Sequence, residues 1–165
     1  MELKEIIKTA MRGELEGKEL YKAISEKTDD QKAKDIFITM SLEEESHFQI
    51  LQQILKHITK KEEFKIDEIE KRVNFDNTES PIFSNEFKNR IKEKHYEMSA
   101  LSIAIKLEYD SFNFYSKASE DIDDKGLKQF FKYLSDWEKT HYDALNKQMK
   151  YLEDDYFIQN QFAPF

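Results

Sequence analysis

The sequence predicts an all-α protein, a four-helix bundle with a long connection between its second and third helices, built from two repeated helix hairpins. Three observations predict it. Only 3 glycines and 2 prolines punctuate 165 residues, too few for the closely spaced turns of a β-sandwich or barrel. Inward-facing residues recur at helical spacing in four segments. The second half of the chain also repeats the pattern of the first at one constant offset. A chain of 165 residues suits one compact domain, so residues 1–165 are read as a single unit.

The first helix, about residues 2–27, carries Leu3, Ile7, Ala10, Glu14, Gly17, Tyr21 and Ile24 at alternating steps of 4 and 3 residues, which is one stripe on one face. Lys27 to Asp30 is a polar turn with good helix-capping residues. The stripe resumes over about 31–58 with Phe37, Met40, Glu44, His47, Leu51, Ile54 and Ile58. From 59 to 94 the period is lost, through Lys60-Lys61-Glu62-Glu63 and Ser80-Pro81, so this segment is read as the crossover, with short helical pieces around Glu86 to Lys94. Leu101, Ala104, Glu108, Ser111, Tyr115 and Ala118 mark a third helix over about 95–120, and Asp121 to Gly126 is the next turn. Phe131, Leu134, Glu138, His141, Leu145 and Leu152 mark the fourth, over about 126–153. The tail, 156–165, holds four aromatic residues, a surface expected to pack on the bundle or on the second subunit of a homodimer.

Composition narrows the function. With 26 Lys and Arg against 34 Asp and Glu, the net charge of −8 disfavours nucleic acid and anionic membrane as partners. The absence of cysteine excludes disulfides, thiolate zinc sites and cysteine-ligated iron. No uncharged run exceeds 10 residues, whereas a spanning helix needs about 20. The opening MELKEIIKTA has no signal-peptide core. The expectation is a soluble, cytoplasmic protein.

An offset of 94 places Ala104 on Ala10, Glu108 on Glu14, Tyr115 on Tyr21, Phe131 on Phe37, Leu134 on Met40, Glu138 on Glu44, His141 on His47 and Leu145 on Leu51. Duplication explains the apolar matches, and the two halves should face each other about a pseudo-two-fold axis. It does not explain why Glu14, Glu44, His47, Glu108, Glu138 and His141 all lie on the inward stripe. Burying unpaired carboxylates costs several kcal/mol each. Two divalent metal ions cancel the four negative charges, and each imidazole adds one neutral nitrogen donor. Glu and His three residues apart share a helix face, so one Glu-x-x-His per hairpin can grip one ion while Glu14 and Glu108 bridge or cap the pair. The 21 glutamates and 4 histidines would give roughly 0.5 such pairs by chance. The pairs therefore carry weight because stripe, spacing and repeat coincide.

Glu14-x-x-Gly17-x-x-Leu20-Tyr21, Glu108-x-x-Ser111-x-x-Phe114-Tyr115, Leu42-Glu43-Glu44-x-x-His47 and Leu134-x-x-x-Glu138-x-x-His141 resemble the helix motifs of the ferritin-like di-iron carboxylate superfamily, and more narrowly of the rubrerythrin family, over about residues 5–150. The resemblance implies a ferritin-like bundle, two iron ions on those six residues, and reduction of peroxide. Two departures stand out. The rubredoxin-like domain with its four cysteines has no counterpart in this cysteine-free chain, so electrons must come from a separate donor protein such as a rubredoxin. The family's extra glutamate, three residues after Glu108, is Ser111.

Other residues carry less. Tyr21 and Tyr115, one heptad after Glu14 and Glu108, are placed to hydrogen-bond metal-bound carboxylates. Trp137 is read as packing rather than as an electron relay, His57 and His95 as surface residues, and Glu43 and Glu45 as solvated charges. Manganese fits the same donors as iron. The function expected is a non-haem di-iron oxidoreductase acting on hydrogen peroxide, or on dioxygen. The alternatives are a ferroxidase or iron-handling protein, an oxygenase with an apolar pocket beside the metals, and a metal-stabilised interaction module without turnover.

Overall fold

A computed structural model describes residues 2–28, 31–60 and 95–159. It contains four helices: α1 (Leu3–Lys27), α2 (Gln31–Lys60), α3 (His95–Asp121) and α4 (Lys125–Gln159). The crossover and its expected helical pieces, the tail end 160–165, and the side chains of His95 and Leu152 lie outside the described residues.

Each helix buries the stripe its spacing marks. On α1 the buried set includes Ile7, Ala10, Glu14, Gly17, Tyr21 and Ile24. The helix register follows from two contacts: the Tyr21 hydroxyl donates to Glu108, and the Tyr115 hydroxyl donates to Glu14. Partners rising along α1 fall along α3, so these helices are antiparallel. Since α2 reverses α1 and α4 reverses α3, α2 ends and α3 begins at opposite ends of the bundle, as a long crossover requires.

Two apolar clusters fill the bundle on either side of its middle. Ile7, Ala10, Leu51, Ile54, Tyr115, Phe131 and Leu134 belong to one. Tyr21, Ile24, Phe37, Met40, Leu101, Ala104 and Leu145 belong to the other. The repeat extends to hydrogen bonds between helices: Ser41 Oγ donates to the Lys18 carbonyl at 3.0 Å, and Ser135 Oγ to the Phe112 carbonyl at 3.1 Å. Both donor and acceptor positions differ by 94.

Three boundaries depart from expectation. Gly126 is not in the turn: Asp124 Oδ1 accepts from the Leu127 amide at 2.8 Å and caps a helix that starts at Lys125. The fourth helix continues to Gln159, so the first residues assigned to the tail are helical; no glycine or proline interrupts the chain between Gly126 and Pro164. The second helix runs two residues past 58, to Lys60. Among the described residues no helix is long and apolar enough to cross a membrane.

Candidate metal centre

The six polar residues of the inward stripes meet between the two apolar clusters. All are buried: Glu14, Glu44, His47, Glu108, Glu138 and His141 are at most 4% exposed. They form two overlapping groups, Glu14, Glu44, His47 and Glu138, and Glu44, Glu108, Glu138 and His141, whose donor atoms lie within 4.8 Å of one another. The groups share Glu44 and Glu138. Each group keeps one Glu-x-x-His, Glu44 with His47 and Glu138 with His141, and adds the Glu-x-x-His glutamate of the other hairpin. Of the two roles open to Glu14 and Glu108, the geometry suits capping, one in each group.

Several donors have nothing else to bind. Among the described residues Glu14 Oε2, Glu44 Oε1, His47 Nδ1, Glu108 Oε2, both Glu138 carboxylate oxygens and His141 Nδ1 are buried without a hydrogen-bond partner. Such orphans cost about 1–3 kcal/mol each, more when charged. Oxygen and imidazole donors converging on one place are the set that iron, manganese and zinc take up, so the residues present fit a pair of metal ions.

Electrostatics give the same reading. Burial raises the Glu44 carboxyl well above the usual range, and the charges of Glu14, Glu108 and Glu43 raise it further. Burial, then the charges of Glu44 and Glu108, does the same to Glu138. Burial also pushes Glu14 and Glu108 upward, but other forces win. His47, the contact with Glu44 and the Tyr115 hydroxyl hold Glu14 below its ordinary value; the contact with Glu138, His141 and the Tyr21 hydroxyl hold Glu108 down. Without metal, Glu44 and Glu138 thus favour the protonated form, and Glu14 and Glu108 beside them the charged form. Burial lowers His141, yet the nearby Glu108 carboxylate, and after it the hydrogen bond to Glu43 and the Glu43 charge, outweigh that and lift it to about 9.

The surroundings confirm some expectations and revise others. Tyr21 and Tyr115 do bond stripe carboxylates, but each reaches the carboxylate of the opposite half. Gly17 is where α2 comes close: a Cβ there would stand 3.3 Å from the Glu44 carboxyl carbon. Glu43, read as a solvated charge, is instead mostly buried at 19% exposure and sits 3.0 Å from His141 Nε2. Glu45 does pair outward, with Lys18 and Gln49. Trp137 packs edge-on against both imidazoles, its ring centre 6.0 Å from that of His47 and 6.0 Å from that of His141. His57 is half-buried on the last turns of α2 and belongs to neither group.

A cavity of about 660 Å³ opens between α1 and α3, lined by Ala10, Gly13, Leu107, Ser111, Phe114 and Tyr115 among others. Tyr115 lines it and also donates its hydroxyl to Glu14 of the centre.

Antiparallel helices that surround carboxylates and histidines contributed by all four of them define a ferritin-like bundle able to hold metal at its middle. The rubrerythrin family model matches residues 5–149, and the chain belongs to the rubrerythrin family, whose members are di-iron proteins. No curated protein and no solved structure matches the chain.

Proposed function

We propose that the protein is a non-haem di-iron oxidoreductase that reduces hydrogen peroxide to water with electrons from a separate donor protein. The observation that carries this reading is the sharing of Glu44 and Glu138 between two groups, each completed by its own glutamate and histidine. Glu44 and Glu138 would span two ions; Glu14 with His47, and Glu108 with His141, would cap them. An iron pair in that place supplies the two electrons that hydrogen peroxide takes up, with two protons, in becoming two waters. The chain's own groups do the rest. Tyr21 and Tyr115 orient Glu108 and Glu14 through their hydroxyls, and burial together with nearby carboxylates keeps both phenols protonated. The apolar clusters on either side keep bulk water from the ends of the site. Tyr115 lines the open cavity and bonds Glu14, so it links the cavity wall to the centre.

Oxygen insertion into an organic molecule is the second reading, and the apolar cavity is the observation that favours it. Peroxide ranks first because none of the six residues of the centre lines that cavity. The test is stopped-flow mixing of the anaerobically reduced, iron-loaded protein with hydrogen peroxide and with dioxygen. Faster oxidation by peroxide, with steady turnover only on addition of an electron donor, is expected. Faster oxidation by dioxygen with continued oxidation of added ferrous ion would replace this function with a ferroxidase. Oxygen uptake coupled to an added organic compound would favour the oxygenase, and no oxidation of the metal at all would leave an interaction module.

A further inference from the structure

The two halves of the centre differ in what stands behind their histidines. His141 turns Nδ1 inward, 3.5 Å from a Glu108 oxygen and 3.8 Å from oxygens of Glu44 and Glu138. Its other nitrogen, Nε2, lies 3.0 Å from Glu43 Oε2. A proton on Nε2 donated to Glu43 leaves the Nδ1 lone pair aimed at the centre, which is the tautomer a metal ligand needs. His47 also turns Nδ1 inward, 3.4 Å from Glu14 and 3.8 Å from Glu138. The repeat of 94 residues, however, carries Glu43 onto Trp137. His47 therefore meets aromatic rings: Trp137 at 6.0 Å and 87°, and Tyr133 at 6.2 Å and 88°. Among the described residues no carboxylate is paired with His47 Nε2. An indole ring holds an imidazole in place but offers no acceptor for its N–H.

We propose that Glu43 is a positioning residue that makes the two metal positions unequal, so that the ion at Glu108 and His141 is bound first and more tightly than the ion at Glu14 and His47. The proposal rests on the reading that the centre holds two ions. Three effects of Glu43 act in one direction. It fixes the tautomer of His141, it makes the inward nitrogen a stronger donor by accepting the outer proton, and it adds one negative charge next to that position only. Loss of such a partner costs about 10- to 100-fold in metal affinity. The aromatic wall at His47 supplies orientation without the other two effects. Duplication alone would have made the positions equivalent, and the Glu43/Trp137 difference removes that equivalence.

Zinc is the probe, being redox-inert and diamagnetic, titrated into the full chain against a chromophoric chelator. Wild type should bind two ions in separable steps. Glu43→Gln keeps the size and the acceptor oxygen but removes the charge; it should weaken the tighter step by about 10- to 100-fold and change the weaker one by no more than about threefold. His47→Ala and His141→Ala each leave one position intact. Glu43→Gln should weaken the ion retained by His47→Ala and leave the ion retained by His141→Ala nearly unchanged. A second readout needs no histidine variant: in the zinc-loaded protein the His141 ring Nε2 proton should resonate downfield of its His47 counterpart and move upfield in Glu43→Gln. Equal affinity at the two positions, equal weakening of both steps, or no effect of Glu43→Gln would overturn the proposal while leaving the metal pair standing. If wild type binds no ion, the proposed function falls as well.

Discussion

In the metal-free protein the centre is a burden whose size depends on pH, and Glu44→Gln should lift part of it. Burial and the neighbouring carboxylates raise Glu44 well above 4.5. A group whose folded pKa is raised contributes stability that is complete below its unfolded pKa and is lost as pH rises through the folded value. For each such carboxyl the loss is about 1.4 kcal/mol per pH unit between the two values. Glu44 and Glu138 both behave this way, and His141, raised to about 9, adds the same slope above about 6.5. Glu14 and Glu108, held low, lose stability only as pH falls below the carboxylate range. The metal-free protein should thus be most stable near pH 4.5 to 5, more acidic than is usual.

Glutamine at position 44 has the shape of the protonated acid and no proton to lose, so the variant should lack one carboxyl's share of the slope. That share corresponds to about 3–6 °C in Tm per pH unit for a chain of this size. Thermal melts followed by circular dichroism between pH 4.5 and 7.5, with chelator present, measure it directly. Wild type and variant should melt alike near pH 4.5 and separate as pH rises, with the variant the more stable. Parallel Tm curves over that range would falsify the assignment of a raised, proton-holding carboxyl at Glu44. Added Mn(II) should reverse the order at neutral pH, since the ion stabilises the ionised set that wild type alone possesses.

Gly17→Ala should raise the melting temperature of the metal-free protein, through a gain of up to about 1 kcal/mol in helix propensity, and should weaken metal binding, because the new Cβ stands 3.3 Å from the Glu44 carboxyl carbon; melts with and without Mn(II) separate the two effects. Tyr21→Phe and Tyr115→Phe should each destabilise the loaded protein by about 1–3 kcal/mol, with similar size because their bonds to Glu108 and Glu14 are related by the repeat; denaturant titration reads this out. His57→Ala should keep the full metal content, whereas His47→Ala should not, as measured by elemental analysis after desalting.

The candidate centre was legible because helical period alone places six charged or titratable residues where a core should be, and a core tolerates them only with a compensating ligand. Tyr21 and Tyr115 were legible as neighbours of the centre, but not as cross-links between the halves, since that depends on the antiparallel register of α1 and α3 rather than on any single stripe. Glu43 was missed because it lies off the α2 stripe, and one stripe per helix ignores the flank that α2 turns toward α4. A signal was present: the offset of 94 that aligns Glu44 with Glu138 aligns Glu43 with Trp137, and a repeat broken beside two ligand-type residues marks a place where the halves differ. Ser41 and Ser135 are identical at the same offset and could have been read as a pair. The start of α4 was misplaced because Gly126 looks like a turn residue, while Asp124 caps the helix two residues earlier. Its end was placed too early because the aromatic residues after Asp155 read as a tail although nothing there stops a helix.

The measurement closest to the centre of these conclusions is the metal content of the full chain after anaerobic loading with Fe(II) and desalting, taken alongside the same measurement on Glu44→Ala and Glu138→Ala. Two ions per chain in wild type, with at least one lost in each variant and the helices retained by circular dichroism, is the expected result. One ion or fewer in wild type, or an undiminished pair in either variant, would contradict a metal centre shared by Glu44 and Glu138.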